Sequence, residues 1–332
     1  MTIALGLTSC GSKNVDAPPP TIEPAGPAAS PPASAAPAGV VHQLGGRPQA
    51  AVFDTKSAAL VVLRPGPDPA APSTLTVLAG AAPPRPIALP GPASALTDDG
   101  QGTAYLATRG GYFVVDLGPG TASRVDITGQ PDTEFTAIAR RADGKLVLGS
   151  ADGAVFILSS PDRGATTVGE QSKIFARVDA IATQGDSTVV LDRGQTSVTS
   201  VGPDGKAQQS LRAGDGATTL ATDPAGRVLV ANTRGDELLV FGVDPLIMRQ
   251  RYPVPLAPYG LVGSTKLAWV SQTAANVVIG YDLATGIPVE KVRYPTVQQP
   301  NILAFDDAGD TLFVISGSGA GVQVIDHATR PR

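Results

Sequence analysis

The sequence predicts an all-β fold, a seven-bladed β-propeller, from three observations. A short apolar run recurs seven times along the 332 residues, starting at Ala59, Thr103, Lys145, Ser187, Arg227, Lys266 and Thr311, with spacings of 39 to 45 residues. Each run is four to six residues long and is bounded by Gly, Asp, Pro or Asn, which gives it strand length and turn punctuation instead of a helical period. Gly (38) and Pro (31) are abundant while aromatic residues make up 5%, a composition suited to many tight turns between short strands. A period near forty with four strands per unit is the pattern of a closed propeller ring. Seven units absorb a length that by itself suggests two domains.

The fifth unit shows the grammar. Ala217–Thr222 is an inner strand, Asp223-Pro-Ala-Gly226 a turn, and Arg227–Asn232 the second strand. A turn at Thr233–Asp236 leads to a third strand from Glu237, and Met248–Tyr252 alternates as a half-wetted outer strand. The Asp and Gly turns recur at Asp99-Gly100, Asp143-Gly144 and Asp307-Ala308-Gly309, where Gly supplies positive φ and Asp caps its own turn. Repetition at one place in the blade makes these aspartates structural, not calcium ligands. The last unit stops after its third strand, Val322–Asp326. Its missing outer strand is supplied by Val40–Leu44 from the other end of the chain, which closes the ring without a free edge.

Ahead of the ring, the small and apolar Leu7-Thr8-Ser9-Cys10 resembles a bacterial lipobox, in which Cys10 receives the lipid. No basic residues precede it, so residues 1–10 read as a partial lipoprotein signal peptide. Residues 11–39 are rich in Pro, Ala, Gly and Ser and predict a disordered, extended tether that spans on the order of 80–90 Å. The propeller then occupies 40–332. This organisation predicts a lipid-anchored protein on the extracytoplasmic face of the cell membrane, touching the bilayer through its anchor alone.

A family resemblance lies in the C-terminal units. Val230-Ala231-Asn232 followed by Leu239-Val240-Phe241 resembles the YVTN-type repeat, as do Phe313–Ser316 with Val322–Asp326 and Ala268–Ser271 with Val278–Asp282. Together with the lipobox and the tether, the chain resembles an actinobacterial, mycobacterial-type propeller lipoprotein of the cell envelope. The resemblance implies an exported, membrane-anchored protein. Its repeat marks fold, not chemistry.

The formal net charge of −4 provides no basic field for nucleic acid, and one Cys with two His (His42, His327) leaves little for thiol, zinc or imidazole chemistry. No catalytic residue, metal site or cofactor is assigned. The loops that gather on one face carry Arg47, Arg109, Arg177, Arg193 and Arg234, with Lys173, Arg212, Asp132, Glu134, Asp192 and Asp236 among them. Guanidinium groups suit carboxylate or phosphate. The first reading is therefore a monomeric, non-enzymatic binding or scaffold propeller whose loop face meets an envelope protein or an anionic ligand. The alternative is a propeller enzyme, a metal-dependent lactonase or lyase or a quinone-dependent dehydrogenase, for which Asp132, Glu134, Gln299 and Asn301 are the available channel residues. Ser316–Gly321 is glycine-rich but precedes a strand, so it reads as a hairpin loop instead of a phosphate cradle.

Overall fold

The computed structural model describes residues 20–159 and 165–330. It is a ring of seven blades, each a four-stranded antiparallel sheet, and none of the described residues is helical. All seven apolar runs are the second strands of their blades: Ala59–Arg64, Thr103–Thr108, Leu146–Ser150, Ser187–Asp192, Arg227–Asn232, Ala268–Gln272 and Thr311–Ser316. The outer strand of blade five extends over Leu246–Pro253, and its exposed residues mark the wet rim of the ring. One addition was not legible in the repeat. Ala165–Thr166 pairs in parallel with Asp126 and Ile127 of blade two, where Thr166 Oγ1 lies 3.0 Å from the buried Tyr112 hydroxyl.

The ring closes where the sequence predicts. Val40, Val41 and His42 pair antiparallel with Val324, Gln323 and Val322. The closing strand is three residues long, shorter than Val40–Leu44, because the chain turns away through Gly45 and Gly46, both at positive φ. Arg64 fixes that exit by donating from Nη1 to the Leu44 carbonyl at 3.2 Å. Gly39, at φ 73°, turns the incoming chain into the closing strand, and a Cβ there would collide with the Val324 carbonyl.

Apolar side chains of adjacent blades pack against each other, so the core is a series of wedges around the ring. Trp269 of blade six is fully buried and stacks on Phe305 of blade seven at 5.7 Å. Across the closing seam, Phe53 of blade one stacks on Phe313 of blade seven at 5.6 Å. Large aromatic contacts at such wedges make neighbouring blades mutually dependent, because a blade alone leaves one face wet.

The turns follow the predicted chemistry with one shift. Gly100 and Gly144 carry positive φ, and Asp99 Oδ1 accepts from the Gln101 and Thr103 amides at 2.8 and 2.9 Å. In blade seven Asp310 takes the positive φ (52°) in place of Gly309. A second device shows only in three dimensions. The last residue of six second strands is polar and buried: Thr108, Ser150, Asp192, Asn232, Gln272 and Ser316. All but Ser150 bond to the loop leading into the inner strand of the same blade, as Asn232 Oδ1 does in accepting from the Gly216 amide at 3.0 Å. The Asn of the Val-x-Asn triplet is thus a loop anchor. Ser316 plays this role in blade seven, and Ser316–Gly321 is the hairpin loop between its second and third strands.

Candidate functional site

The strands alternate direction, so the loops entering the inner strands and the turns between second and third strands meet at one end of the ring. They form the loop face. The inner strands of all seven blades line a central channel of about 670 Å³, and its loop-face mouth is polar, with Gln49, Ser94, Glu134, Arg177, Asp179 and Asn301. Asp179 Oδ2 accepts the Arg193 amide at 2.7 Å, and Oδ1 lies 3.3 Å from Arg177 Nε. Burial nevertheless pushes the Asp179 carboxyl above the ordinary range, outweighing the amide and the two guanidiniums that favour its charged form.

Residues 20–38 do not behave as the disordered tether that their composition predicts. They run extended across the loop face from blade four to the boundary of blades six and seven, as a strap. The Ile22 amide donates to the Gly194 carbonyl at 2.8 Å, and Arg234 Nη2 donates to the Glu23 carbonyl at 2.8 Å. Arg193 Nη2 donates to the carbonyl of Ala25, which is the buried residue of the strap. Further along, Gln299 Nε2 donates to the Ala28 carbonyl at 2.8 Å and its Oε1 accepts the Ser30 amide at 3.1 Å. Asn276 Nδ2 donates to the Pro31 carbonyl at 2.8 Å, and the strap ends where the Ala38 amide meets the Pro295 carbonyl at 3.0 Å. The difference from the composition-based expectation has a physical reason. A Pro/Ala segment cannot build a core, but its free carbonyls are acceptors for any surface that presents donors at the right spacing.

The five candidate arginines all lie in loops of this face, and their surroundings differ. Arg193 and Arg234 are turned to the strap carbonyls. Arg109 Nη2 pairs with Asp132 Oδ1 at 2.8 Å, and both side chains are largely exposed. Arg47 and Arg177 are exposed beside the channel mouth. The acids among them serve the backbone: Asp192 Oδ2 accepts the Ala176 and Arg177 amides, and Asp236 Oδ1 accepts the Ala257 amide. Lys173 pairs with Asp152 at 2.7 Å.

Three of the four residues available to an enzyme make side-chain bonds, and the fourth, Glu134, lines the channel mouth. Gln299 holds the strap and also donates to Asn301 Oδ1 at 3.0 Å, while Asp132 holds Arg109. Among the described residues, no three His, Cys, Asp or Glu side chains gather in a way that could hold a metal ion. His42 pairs with Val322 at one end of the closing seam, and His327 follows Asp326 at the other. Five residues of extended strand separate them by roughly 16 Å, so the two do not form a pair. Cys10 lies outside the described residues. Sequence reasoning missed Thr273, Asn276 and Gln298 as strap contacts. Their only signal is a set of amide and hydroxyl side chains in neighbouring loops.

The sequence matches no protein-family model and no curated protein. Solved structures of similar shape are numerous. Virginiamycin B lyase from Staphylococcus aureus matches with a TM-score of 0.70 at 12% identity, covering 86% of this chain and 99% of the lyase. Hydrazine synthase from Kuenenia stuttgartiensis matches with a TM-score of 0.67 at 13% identity, covering 88% of this chain and 98% of the other. U3-55K matches with a TM-score of 0.71 at 12% identity, covering 89% and 99%. At such identities the likeness shows the propeller fold alone.

Proposed function

We propose that this chain is a non-enzymatic binding propeller of the cell envelope, a YVTN-type actinobacterial lipoprotein anchored through Cys10, which presents its loop face to a protein partner. One observation carries the reading. The loop face already holds an extended polypeptide through side-chain bonds to main-chain atoms, from Arg193, Arg234, Asn276 and Gln299. A rigid ring that spends its loop side chains in this way is built for recognition. The sector left open by the strap carries Arg47, Arg109 and Arg177, whose guanidiniums suit an acidic partner.

The test is a pull-down from envelope extract at low salt with the full chain and with Arg47→Glu/Arg109→Glu/Arg177→Glu. Each is an exposed loop substitution, so stability should change little. The wild type retains a saturable partner and the triple variant loses it. Equal retention by both proteins overturns the assignment of this surface.

A further inference from the structure

We infer that the groove under the strap is a recognition site for extended peptides rich in proline and small residues, and that residues 20–31 of the chain occupy it in cis. This rests on the binding role proposed for the loop face and names the chemistry of what the face binds. The groove reads backbone. Its donors go to the carbonyls of Glu23, Ala25, Ala28, Ser30 and Pro31. Its acceptors take the amides of Ile22, Ala28 and Ser30. Carbonyls left free by an extended, proline-rich conformation are the feature such a donor set recognises.

Two positions add side-chain selectivity. Ala25 is buried above Gly216, where an added Cβ would lie 3.1 Å from the Ala25 Cβ, so only a small residue seats there. Ser30 donates from Oγ to the Thr273 carbonyl at 2.6 Å and accepts the Gln299 amide at 3.0 Å. The ligand is therefore an extended segment with a small residue and, five positions on, a hydroxyl. Proline supplies the conformation at low ordering cost.

The strap is built to be exchanged. Ile22, its one large apolar side chain, is 44% exposed, and Ala25 is its only buried hydrophobic residue. Release of residues 20–31 leaves the ring cores untouched and costs hydrogen bonds that water replaces, so opening of this part falls at the low end of the local stabilities of the fold. While docked, the strap competes at an effective concentration on the order of millimolar, which makes it a built-in competitor of any outside peptide.

The test uses the full chain and a fluorescent peptide with the sequence of residues 20–33. Ala25→Lys/Ser30→Ala in the protein should eject the strap without altering the groove, and hydrogen exchange at the Ile22 and Ala28 amides, which both proteins share, reports the release. The peptide should bind the strap-released protein about tenfold or more tightly than the wild type. A peptide carrying lysine at the Ala25 position should bind neither protein. Gln299→Ala in the released protein, with Asn276→Ala as a second and milder groove variant, should weaken peptide binding. Failure of the native peptide to bind a protein whose strap amides exchange freely overturns the inference, as does equal binding of a scrambled peptide. Because these readouts use purified components, their failure leaves the envelope pull-down with the Arg47, Arg109 and Arg177 variant as an independent test of the loop face.

Discussion

Arg234 donates from Nη2 to the carbonyl of Glu23 at 2.8 Å, across 211 residues of sequence, while its Nη1 donates to the Asp215 carbonyl at 2.9 Å. One guanidinium therefore joins the strap to the loop that enters blade five. The same fork that suits an anion here serves two neutral carbonyls, one of them on the strap residue that precedes Pro24.

Ring closure depends on Gly39. Its positive φ and its approach to the Val324 carbonyl leave no room for a side chain. Gly39→Val should destabilise the ring by about 1–3 kcal/mol from backbone strain alone, and more from the collision. Thermal unfolding followed by circular dichroism checks this, with a lowered midpoint and a broadened transition expected. Removal of residues 1–45 should behave likewise by exposing the strand Val322–Asp326 as a free edge.

The loop anchors should be costly to remove. Asn232 is fully buried, accepts the Gly216 amide at 3.0 Å, and donates to Glu237 Oε2 at 2.8 Å. Asn232→Ala strands both partners and should cost about 1–3 kcal/mol. Urea denaturation at neutral pH reads the loss directly.

Asp98 introduces a pH dependence on the opposite face of the ring. Burial pushes its carboxyl up to about 6, and the nearby Asp54 and Asp99 carboxylates add to the rise against the pull of the Gly100 amide. A carboxyl whose pKa is higher in the folded state binds its proton more tightly there. Its contribution is thus most favourable at low pH and is lost as pH rises from the ordinary carboxylate range through about 6. Asp98→Asn keeps an acceptor for Gly100 and removes the charge. It should leave stability unchanged near pH 3, below the ordinary carboxylate range, and raise it by about 1–3 kcal/mol at pH 8, measured by unfolding at the two pH values.

The proposed lipid anchor predicts that membrane attachment depends on Cys10, in a protein expressed with a signal sequence ahead of it. Cys10→Ala should move the protein from the membrane fraction to the soluble fraction, since the proline-rich segment after it has no affinity for hydrocarbon. Equal partition of both proteins would show that Cys10 carries no anchor.

The architecture could be read from the sequence because every blade repeats one short-range pattern: Arg227–Asn232 and Thr311–Ser316 have the same apolar run and the same turn signals. Closure was legible because Val322–Asp326 lacked a partner and Val40 began an unassigned strand. The strap was not legible. Its affinity for the ring lies in donors scattered over Arg193, Arg234, Asn276 and Gln299, and no local property of residues 20–38 encodes those positions. The arginines of the loop face were found by their chemistry. What sequence could not divide was the two that hold the strap from the three that remain toward solvent.

The central claim, that the loop face is the binding surface, is tested most directly by photo-cross-linking in envelope extract. One probe replaces Arg109 on the loop face, and a second replaces Ile287, which is 67% exposed in a turn on the opposite face. Cross-links to a partner are expected from position 109 and none from position 287. Cross-links from 287 with none from 109 would contradict the claim.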